Sequence, residues 1–299
     1  DMLYMPITHW SGIINVQNSI LQHPELMTEY RNRDRELSDV LFTPDQLGAL
    51  VDEQAQFVGS PVGPGLPSFA QLDQAMWNYH PRTTAAHKGA FYKSPASATF
   101  RGGVVTRTLT SPDHAGMVRW LRDFTLTGYG ATQLATESAD PDIPDRPTIT
   151  YVGSSGYPID GISFRTSPFS DPQGAGTFAG LRWRVAEVTP ATVAPDLRNP
   201  RLYEIENAWE SPLLTSWNDT ITVPPEVLRV GGVHRARVRM MDSSGRASRW
   251  SAPIEFTVGG ASQAPVWTTS LRITELHFHP ANDDPEEFVE IMNIGSTTI

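Results

Sequence analysis

The spacing of apolar residues through the first third of the chain predicts helices. Within residues 23–42 the apolar positions recur three and four residues apart, which indicates one helix with a single inward stripe. The stripe consists of Leu26, Tyr30, Arg33, Leu37, Val40 and Leu41. A second helix begins at the next start signal, where Thr43 is the N-cap, Pro44 the first helical position and Gln46 the residue three after the cap. Gly59 is predicted to end this helix.

Two further helices follow a loop rich in proline and glycine at residues 60–67. The first runs from its cap, Ser68, to Pro81, and the second opens at Ser111 and Pro112. Their predicted buried faces consist of Phe69, Leu72, Met76 and Trp77 in the first, and Met117, Trp120, Leu121 and Phe124 in the second. The first 139 residues are therefore predicted to be mainly helical.

The pattern changes from helices to strands near Asp140. Residues 139–147, ADPDIPDRP, are typical of a stiff polar connector, and segments of alternating residues separated by turn signals follow it. These segments are TITYVG, GISFRTSPF, GLRWRVAEV, DTITVPPEVL, HRARVRMMD and APIEFTV. Their spacing is typical of a seven-stranded sandwich of about 100 residues.

A second connector precedes two more strand patterns, SLRITELHFHP and EFVEIMNIG. The predicted fold class is therefore multidomain, α plus all-β. Its parts are a mainly helical segment (1–139), an immunoglobulin-like sandwich (140–258), a linker (259–269) and the truncated start of a second sandwich (270–299). Because the chain begins on Asp and stops within a strand pattern, we expect it to be a piece of a longer protein.

The composition excludes several classes of functional site and of binding partner. Cysteine is absent, which excludes disulfides, thiolate zinc sites and cysteine nucleophiles. The formal net charge of -10 opposes general attraction to nucleic acid and to anionic membranes. No apolar run approaches the roughly 20 residues that span a bilayer, so neither nucleic acid nor a membrane is an expected partner. The sequence contains no GxSxG elbow, phosphate-cradling glycine loop or nucleotide fingerprint.

An arginine stripe is the clearest candidate for a structural site. Strand alternation places Arg235, Arg237 and Arg239 on one face of a strand and apolar residues on the other. Trp250 lies one hairpin away, within stacking reach of the guanidinium planes, where each contact contributes about 0.5 to 2 kcal/mol. The predicted role is an Arg–Trp ladder that rigidifies a sandwich, and the alternative is a binding site for a polyanion or a sugar.

An acidic stretch near the C-terminus is the candidate metal site. Strand alternation puts Ile273, Glu275, His277 and His279 on one face, and the turn that follows carries carboxylates suited to calcium, which takes six to eight oxygen ligands. The candidate ligands are Asp283, Asp284, Glu286 and Glu287. Because the spacing of a regular calcium loop is absent, a solvated hairpin tip is the alternative interpretation.

The segments HRARVRMMD, SSGRAS and RWSAPIEF resemble the last two strands of a fibronectin type III domain. RWS is similar to half of that family's tryptophan–serine box, and the resemblance covers residues 143–258. It implies a sandwich that acts as a spacer or a binding module, and fold alone does not choose between those roles. The chain departs from the family in a long proline-rich insertion at residues 189–217.

The opening passage, residues 1–57, resembles the end of the spore-coat CotH kinase-like domain, where a tyrosine, an arginine, a helix, a phenylalanine and a second helix close the helical lobe. In that family the ATP-binding and catalytic residues lie mostly upstream, and an acidic metal-binding motif occurs shortly before this passage. The resemblance makes Asp1 a candidate for the last acid of that motif. It implies that the intact parent is an atypical Ser/Thr protein kinase using Mg-ATP, or a degenerate relative.

The last passage, LRITELHFHPANDDPEEFVEIMNIGSTTI, resembles the first two strands of a lamin-tail domain. The matching motifs are ITEL, the HP turn, EFVEI and NIGS. That family forms immunoglobulin-like sandwiches of about 100 residues in many bacterial extracellular proteins. The resemblance therefore implies an incomplete domain and an extracellular or cell-surface location.

We therefore expect a non-catalytic section of a secreted or cell-surface bacterial multidomain protein, acting as a spacer and interaction module beside a CotH-type kinase-like domain. No cofactor is expected in this section, and the expected partners are neighbouring domains of the same chain and a cell-surface protein or glycan. The alternatives are an enzyme fragment of an atypical kinase and a carbohydrate-binding sandwich. Candidate platform residues for the sandwich are Trp183, Trp209, Trp217 and Trp250.

Overall fold

Helices dominate the described chain up to residue 140, and antiparallel sheets follow. The computed structural model describes residues 22–77, 92, 94–100, 103–196, 198–262, 270–277, 288–296 and 298. The helices are α1 (Pro24–Val40), a π-helical turn (Pro44–Gly48), α2 (Ala49–Gly59), α3 (Phe69–Trp77), α4 (His114–Leu126) and α5 (Tyr129–Glu137). The expectation of helices combined with several sheets is confirmed at this level.

Helix α1 forms where the sequence predicts it, but it buries a different face. Pro24 occupies the first turn, as its fixed φ allows. Leu26 and Arg33, both members of the predicted apolar stripe, are exposed. The residues that are buried are Asp34, Arg35, Asp39 and Val40. The predicted stripe is therefore confirmed at Val40 and wrong at Leu26 and Arg33, because the helix also packs polar residues against charged partners from the β region.

The start signal at Thr43 marks a helical start with an unexpected geometry. Thr43 is extended and makes no side-chain cap bond, and Pro44 begins a π-helical turn that runs into α2. Gln46 does not complete a capping box, because its Oε1 accepts a hydrogen bond of 2.6 Å from the backbone N–H of Glu204. Helix α2 ends at Gly59, as predicted. Gln46, one residue of the predicted start signal, therefore binds a distant part of the chain and does not cap the helix.

Helix α3 has the predicted cap and an exposed apolar face. The backbone N–H of Gln71 donates to Ser68 Oγ at 3.2 Å, and the N–H of Ser68 donates to Gln71 Oε1 at 2.8 Å, which is a reciprocal capping box. The predicted burial of this face is wrong for three residues. These are Phe69, Leu72 and Met76, which are 53%, 42% and 67% exposed.

Helix α4 begins later than the sequence indicates. Its N-cap is Asp113, whose carboxylate accepts from the backbone N–H of Gly116 at 2.8 Å and from the Ser111 hydroxyl at 2.6 Å. Phe124 of the predicted face is buried against Trp120, with ring centroids 5.0 Å apart, whereas Leu121 is exposed. Ser111 therefore supports the cap without being the cap.

A short hairpin and one helix lie in the helical part without a counterpart in the sequence prediction. Strands β1 (Ala96–Phe100) and β2 (Gly103–Arg107) pair antiparallel, with Ala96 opposite Arg107. Helix α5 follows α4 after Gly128. The segment predicted as mainly helical thus also contains a small sheet.

The central β region has seven strands in two sheets. The strands are β3 (Ile149–Tyr151), β4 (Ser163–Thr166), β5 (Phe178–Glu187), β6 (Trp209–Glu210), β7 (Thr220–Thr222), β8 (Val233–Asp242) and β9 (Ile254–Thr257). One sheet has the order β3-β4-β7, and the other β6-β5-β8-β9. Each of the six predicted segments contains a strand, so those six strand predictions are confirmed, and β6 adds the seventh.

Both sheets contribute to one apolar core. Phe164 of β4 and Phe256 of β9 have ring centroids 5.5 Å apart, which joins the two sheets across the core. Strand β8 alternates as predicted: its core residues are Ala236, Val238 and Met240, each at most 1% exposed. The arginines between them therefore lie on the opposite face of the four-stranded sheet.

The last described element is a hairpin of β10 (Leu271–His277) and β11 (Phe288–Asn293), which confirms two predicted strands. A bulge interrupts the predicted alternation, because Ile273 pairs with Ile291 and Glu275 with Glu290. Successive residues of β11 point to opposite faces, so Ile273 and Glu275 do not share a face as predicted. His279 lies outside the described residues.

Candidate functional site

Arginines on the outer face of the four-stranded sheet meet carboxylates from the helices and from the loop between β5 and β6. We call this contact the arginine–carboxylate interface. It comprises Arg184, Arg235, Arg237, Arg239 and Trp250 from the β region, and Glu36, Asp39, Asp45 and Glu204 as the carboxylates. The sheet places these arginines side by side, since Arg184 of β5 is opposite Arg237 of β8.

Trp250 lies against two guanidinium groups. The Cζ atom of Arg239 is 4.5 Å from the Trp250 ring centroid, and that of Arg184 is 5.5 Å from it. Trp250 is fully buried. Burial lowers the pKa of both arginines, and the charge of Glu36 opposes that shift. The structure thus brings Arg239 onto Trp250, as the sequence indicates, and adds Arg184, which the sequence did not single out.

Arg235 and Arg237 do not stack on Trp250. They converge instead on Glu204, a residue that is 1% exposed. Arg237 donates to the Glu204 carboxylate through Nε and, at 3.0 Å, through Nη2, while Arg235 Nη1 donates to it at 3.1 Å. Arg184 Nη2 donates to the Glu204 backbone carbonyl at 2.6 Å. Glu204 therefore joins three arginines from two neighbouring strands.

Glu36 is the carboxylate of helix α1 that contacts the two arginines lying against Trp250. It accepts from Arg239 Nη1 at 3.3 Å and lies 3.6 Å from Arg184 Nη1. Arg33, one turn earlier on the same helix, pairs with it at 3.0 Å. The two guanidinium groups that lie against Trp250 thus share one carboxylate of helix α1.

Asp39 accepts three hydrogen bonds one turn further along α1. The donors are the backbone N–H of Trp250 at 2.9 Å, Arg249 Nη1 at 3.2 Å and Arg146 Nη2 at 3.2 Å. Burial raises the pKa of Asp39, and the charges of Arg146 and Arg249 partly oppose that rise. The arginine before Trp250 and the amide of Trp250 itself are therefore both fixed to helix α1.

The π-helical turn and α2 extend the same contact. Asp45 pairs with Arg235 at 2.6 Å. Desolvation lowers the pKa of Arg235, but its bonds to Asp45, Glu255 and Glu204 outweigh that effect and raise it. In α2, Glu53 accepts from the Tyr203 hydroxyl at 2.7 Å. The helical part is therefore joined to the sheet at several successive turns.

Further bonds join α1 to the turn between β8 and β9. Asn32 Nδ2 donates to the carbonyl of Gly245 at 2.9 Å, and Asn32 Oδ1 accepts from the N–H of Ala247 at 2.9 Å. Asp140, at the head of the predicted connector, accepts from Arg246 Nε at 3.1 Å. The beginning of the connector is thus paired with the sheet.

The energetic role of these pairs follows from their burial. Removing charges from water costs about as much as their mutual attraction returns, so a buried ion-pair network contributes little net stability compared with apolar packing. Loss of one partner is expensive because the other charge stays buried and unpaired, at about 3–5 kcal/mol. Within the described residues, the arginine–carboxylate interface thus joins the helices to the sheet through pairs whose separate loss is costly.

Other predicted site residues fall outside the description or do not converge. Asp1, Asp283, Asp284, Glu286 and Glu287 lie outside the described residues. Within the part of the chain that the structure describes, no group of three or more His, Asp or Glu residues is arranged to hold a metal ion. The calcium interpretation therefore stays a prediction.

The four tryptophans considered for a sugar platform lie in different environments. Trp183 and Trp250 are at most 1% exposed, and Trp209 packs against the apolar core. Trp217 alone of the four is largely exposed, at 45%. Together they do not form one exposed platform.

The carboxylate partners are the residues that sequence reasoning missed. Glu36 and Asp39 are three residues apart and therefore share a face of α1 with the buried Val40, which is the one local signal for them. Glu204 gives no such signal, since it lies in the irregular insertion between β5 and β6. The arginines of the sheet that pair with these carboxylates lie far from them in the sequence. No local pattern therefore reveals the pairs.

Comparison with known proteins identifies no family for this chain. No protein-family model matches the sequence, and a search of curated proteins finds no significant match. Among the helices that the structure describes, none combines the length and apolar character needed to cross a membrane. Functional inference therefore rests on the arginine–carboxylate interface.

Proposed function

We propose that the chain is a non-catalytic section of a secreted or cell-surface bacterial multidomain protein, in which it acts as a spacer and interaction module. The carrying observation is the arginine–carboxylate interface, which joins helix α1 to the four-stranded sheet through Glu36 and Asp39. A spacer must hold its ends at a fixed orientation, and buried directional pairs do so because each has one low-energy geometry.

The β region supports the proposal that residues 140–258 form a fibronectin type III-like sandwich. Its seven strands are divided three and four between two sheets that share a core. In the SRWS segment, Ser248 Oγ accepts from the N–H of Met240 at 3.0 Å, and Ser251 Oγ accepts from the N–H of Val238 at 3.1 Å. The serines on both sides of Trp250 thus extend the β8 hydrogen-bond ladder.

The hairpin of β10 and β11 supports the proposal that residues 270–299 open a lamin-tail domain. An isolated two-stranded hairpin is marginal in water, and a sandwich needs further strands to cover its apolar residues. Ile273, Leu276 and Ile291 are 61%, 65% and 59% exposed. The CotH-type kinase-like neighbour and Mg-ATP remain proposals about the intact parent.

A phosphotransfer assay tests the non-catalytic part of the proposal. The 299-residue chain and the intact parent are incubated separately with labelled ATP, Mg²⁺ and a generic Ser/Thr acceptor. We expect no label transfer by the 299-residue chain. Transfer by this chain alone would overturn the proposal, and transfer by the parent alone would support a kinase-like neighbour.

Distance measurements test the spacer role directly. The absence of cysteine allows unique spin labels at two exposed positions, introduced as Glu29→Cys on α1 and Val230→Cys before β8. Val152→Cys with Val230→Cys is the reference pair, because both positions lie within the β region. We expect the helix-to-sheet distribution to be as narrow as the reference. A markedly broader distribution would contradict a rigid spacer.

A further inference from the structure

A groove of about 440 Å³ opens beside the end of β4 and the start of β7. Its lining includes Thr166, Phe169, Phe178, Trp217 and Asp219. The volume lies within the range of about 300–1,000 Å³ that is usual for small-molecule sites. The groove is remote in sequence from the carboxylates of α1, and none of these five lining residues belongs to the arginine–carboxylate interface.

Three aromatic rings build one wall of this groove. Phe178 meets Trp217 edge to face, with centroids 5.3 Å apart and an interplanar angle of 79°. Phe169 meets Phe178 in the same way at 5.2 Å and 72°. Such pairs favour a fixed relative orientation of the rings. The indole of Trp217, although 45% exposed, is therefore held as a stacking surface.

Asp219 adds a carboxylate to the lining of this groove. That carboxylate accepts from the Thr220 hydroxyl at 2.8 Å and pairs with Arg165 Nε at 3.4 Å, and the side chains of Asp219 and Arg165 are about half exposed. The backbone of Asp219 is fixed, because its carbonyl accepts from the N–H of Thr166 at 2.8 Å. Thr166 is 4% exposed, and its hydroxyl has no hydrogen-bond partner among the described residues. Because that hydroxyl oxygen is itself buried, Thr166 closes the groove wall, and Asp219 is the lining residue that offers an accessible carboxylate.

We propose that this groove binds a neutral saccharide. The apolar C–H face of a pyranose stacks on Trp217, while its hydroxyls donate to the Asp219 carboxylate. A hydroxyl suits this carboxylate because it is a hydrogen-bond donor without charge. The Asp219 charge and the net charge of -10 disfavour acidic sugars. The inference is independent of the proposed spacer function.

A proline-rich peptide is the competing ligand for an aromatic groove. Its PPII backbone offers carbonyl acceptors, but proline has no N–H to donate. The Asp219 carboxylate would then face a ligand without a donor. The chemistry of the polar groups therefore favours the saccharide.

Titration of the 299-residue chain tests the proposal. Oligomers of glucose, N-acetylglucosamine, mannose and galactose are added to ¹⁵N-labelled protein, and the eight tryptophan indole N–H signals are followed by NMR. The Trp217 signal is assigned by its loss in Trp217→Phe. We expect at least one oligomer to shift that signal selectively. Absence of a shift with all four oligomers overturns the proposal, as does a shift produced by a polyproline peptide and by no oligomer.

Variants then test the assigned contacts by calorimetry with the oligomer that binds. We expect Trp217→Ala and Asp219→Asn each to weaken its affinity by about tenfold or more, and Trp217→Phe to weaken it less. Phe57→Ala is the matched control, because Phe57 is 52% exposed and lies outside the groove, and it is expected to leave affinity unchanged. Circular dichroism of each variant reports its folding. Folded Trp217→Ala and Asp219→Asn variants with unchanged affinity would overturn the proposal.

Discussion

The backbone N–H of Trp250 donates to the carboxylate of Asp39 at 2.9 Å, across 211 residues of sequence. The same carboxylate accepts from Arg249 and Arg146, so one helix residue fixes the tryptophan backbone and the arginine before it. Asp39 is 7% exposed and Trp250 is fully buried, so the Trp250 amide cannot regain water if the carboxylate is lost, whereas Arg146 and Arg249 are 47% and 34% exposed. The stability of helix α1 therefore depends on its hydrogen bonds with the β region.

Replacing this carboxylate gives the first prediction. Asp39→Ala is expected to lower the free energy of unfolding by about 1–3 kcal/mol, because it leaves the buried amide of Trp250 without its acceptor. Urea denaturation measures the change. Asp52→Ala is the control: its exposed pair with Arg122 is worth at most about 1 kcal/mol. Equal losses in the two variants would contradict a special role for Asp39.

The contact between Arg239 and Trp250 is tested with a double-mutant cycle. Arg239→Met and Trp250→Phe are combined, and the free energy of unfolding is measured for the four proteins. We expect a coupling energy of about 0.5 to 2 kcal/mol, because the guanidinium lies 4.5 Å from the ring centroid. Arg184→Met with Trp250→Phe is the matched cycle at 5.5 Å. A coupling near zero in both cycles would show that the ladder is a packing arrangement without cation–π attraction.

Titration of the Asp34 carboxyl makes the free energy of unfolding depend on pH. Burial, followed by the charge of Glu137, raises its pKa from the ordinary 3.8 to about 6, although the Tyr30 hydrogen bond and Arg35 act in the opposite direction. Because the folded pKa is the higher one, the stabilisation is fully present below about pH 4 and is lost as the pH rises through about 6. Ionised Asp34 therefore destabilises the folded protein at neutral pH.

Asp34→Asn removes this cost. We expect the variant to be more stable than the parent by about 1–2 kcal/mol at pH 7 and to lose that advantage towards pH 4. Thermal unfolding across a pH series measures the difference. Glu25→Gln is the control substitution on the same helix, since Glu25 is exposed. A constant difference between Asp34→Asn and the parent at all pH values would contradict the assignment.

The serine after Trp250 completes the β8 ladder. Ser251→Ala leaves the buried N–H of Val238 without its acceptor and is expected to cost about 1–3 kcal/mol in unfolding free energy. Hydrogen exchange at the Val238 amide should accelerate in parallel. Ser154→Ala is the control, because Ser154 is exposed and its contact with Tyr151 uses the backbone carbonyl alone. Unchanged exchange at Val238 would rule out the proposed bond.

The strands of the central β region were predictable because they alternate over several residues and are separated by proline and glycine turns. Strand β8 is the clearest case, since Ala236, Val238 and Met240 enter the core as the alternation requires. The hairpin of β1 and β2 was missed because ASATF and GVVTR are short and contain few large apolar residues. Helix α5 was missed because YGATQLATE lacks a strong apolar period.

The faces of the helices were less predictable than the helices themselves. In α1, polar residues such as Arg35 are buried because they find partners, here the carbonyl of Ser138 at 3.0 Å. Periodicity assigns polar residues to water and cannot anticipate a partner more than 100 residues away. The same limit applies to the candidate site: strand alternation indicates the arginines, whereas Glu36 and Glu204 become visible only when the chain is folded.

The hydrogen bond between Glu36 and Arg239 can form only after Arg239 has been synthesised. Their separation of 203 residues corresponds to about 10 to 40 s of ribosomal synthesis at about 5–20 residues per second. Helix α1 therefore leaves the ribosome long before its arginine partners in β5 and β8 are synthesised. Until then water is the partner of its carboxylates. During that interval the helix face that later packs on the sheet presents charged carboxylates to water in place of a large apolar patch.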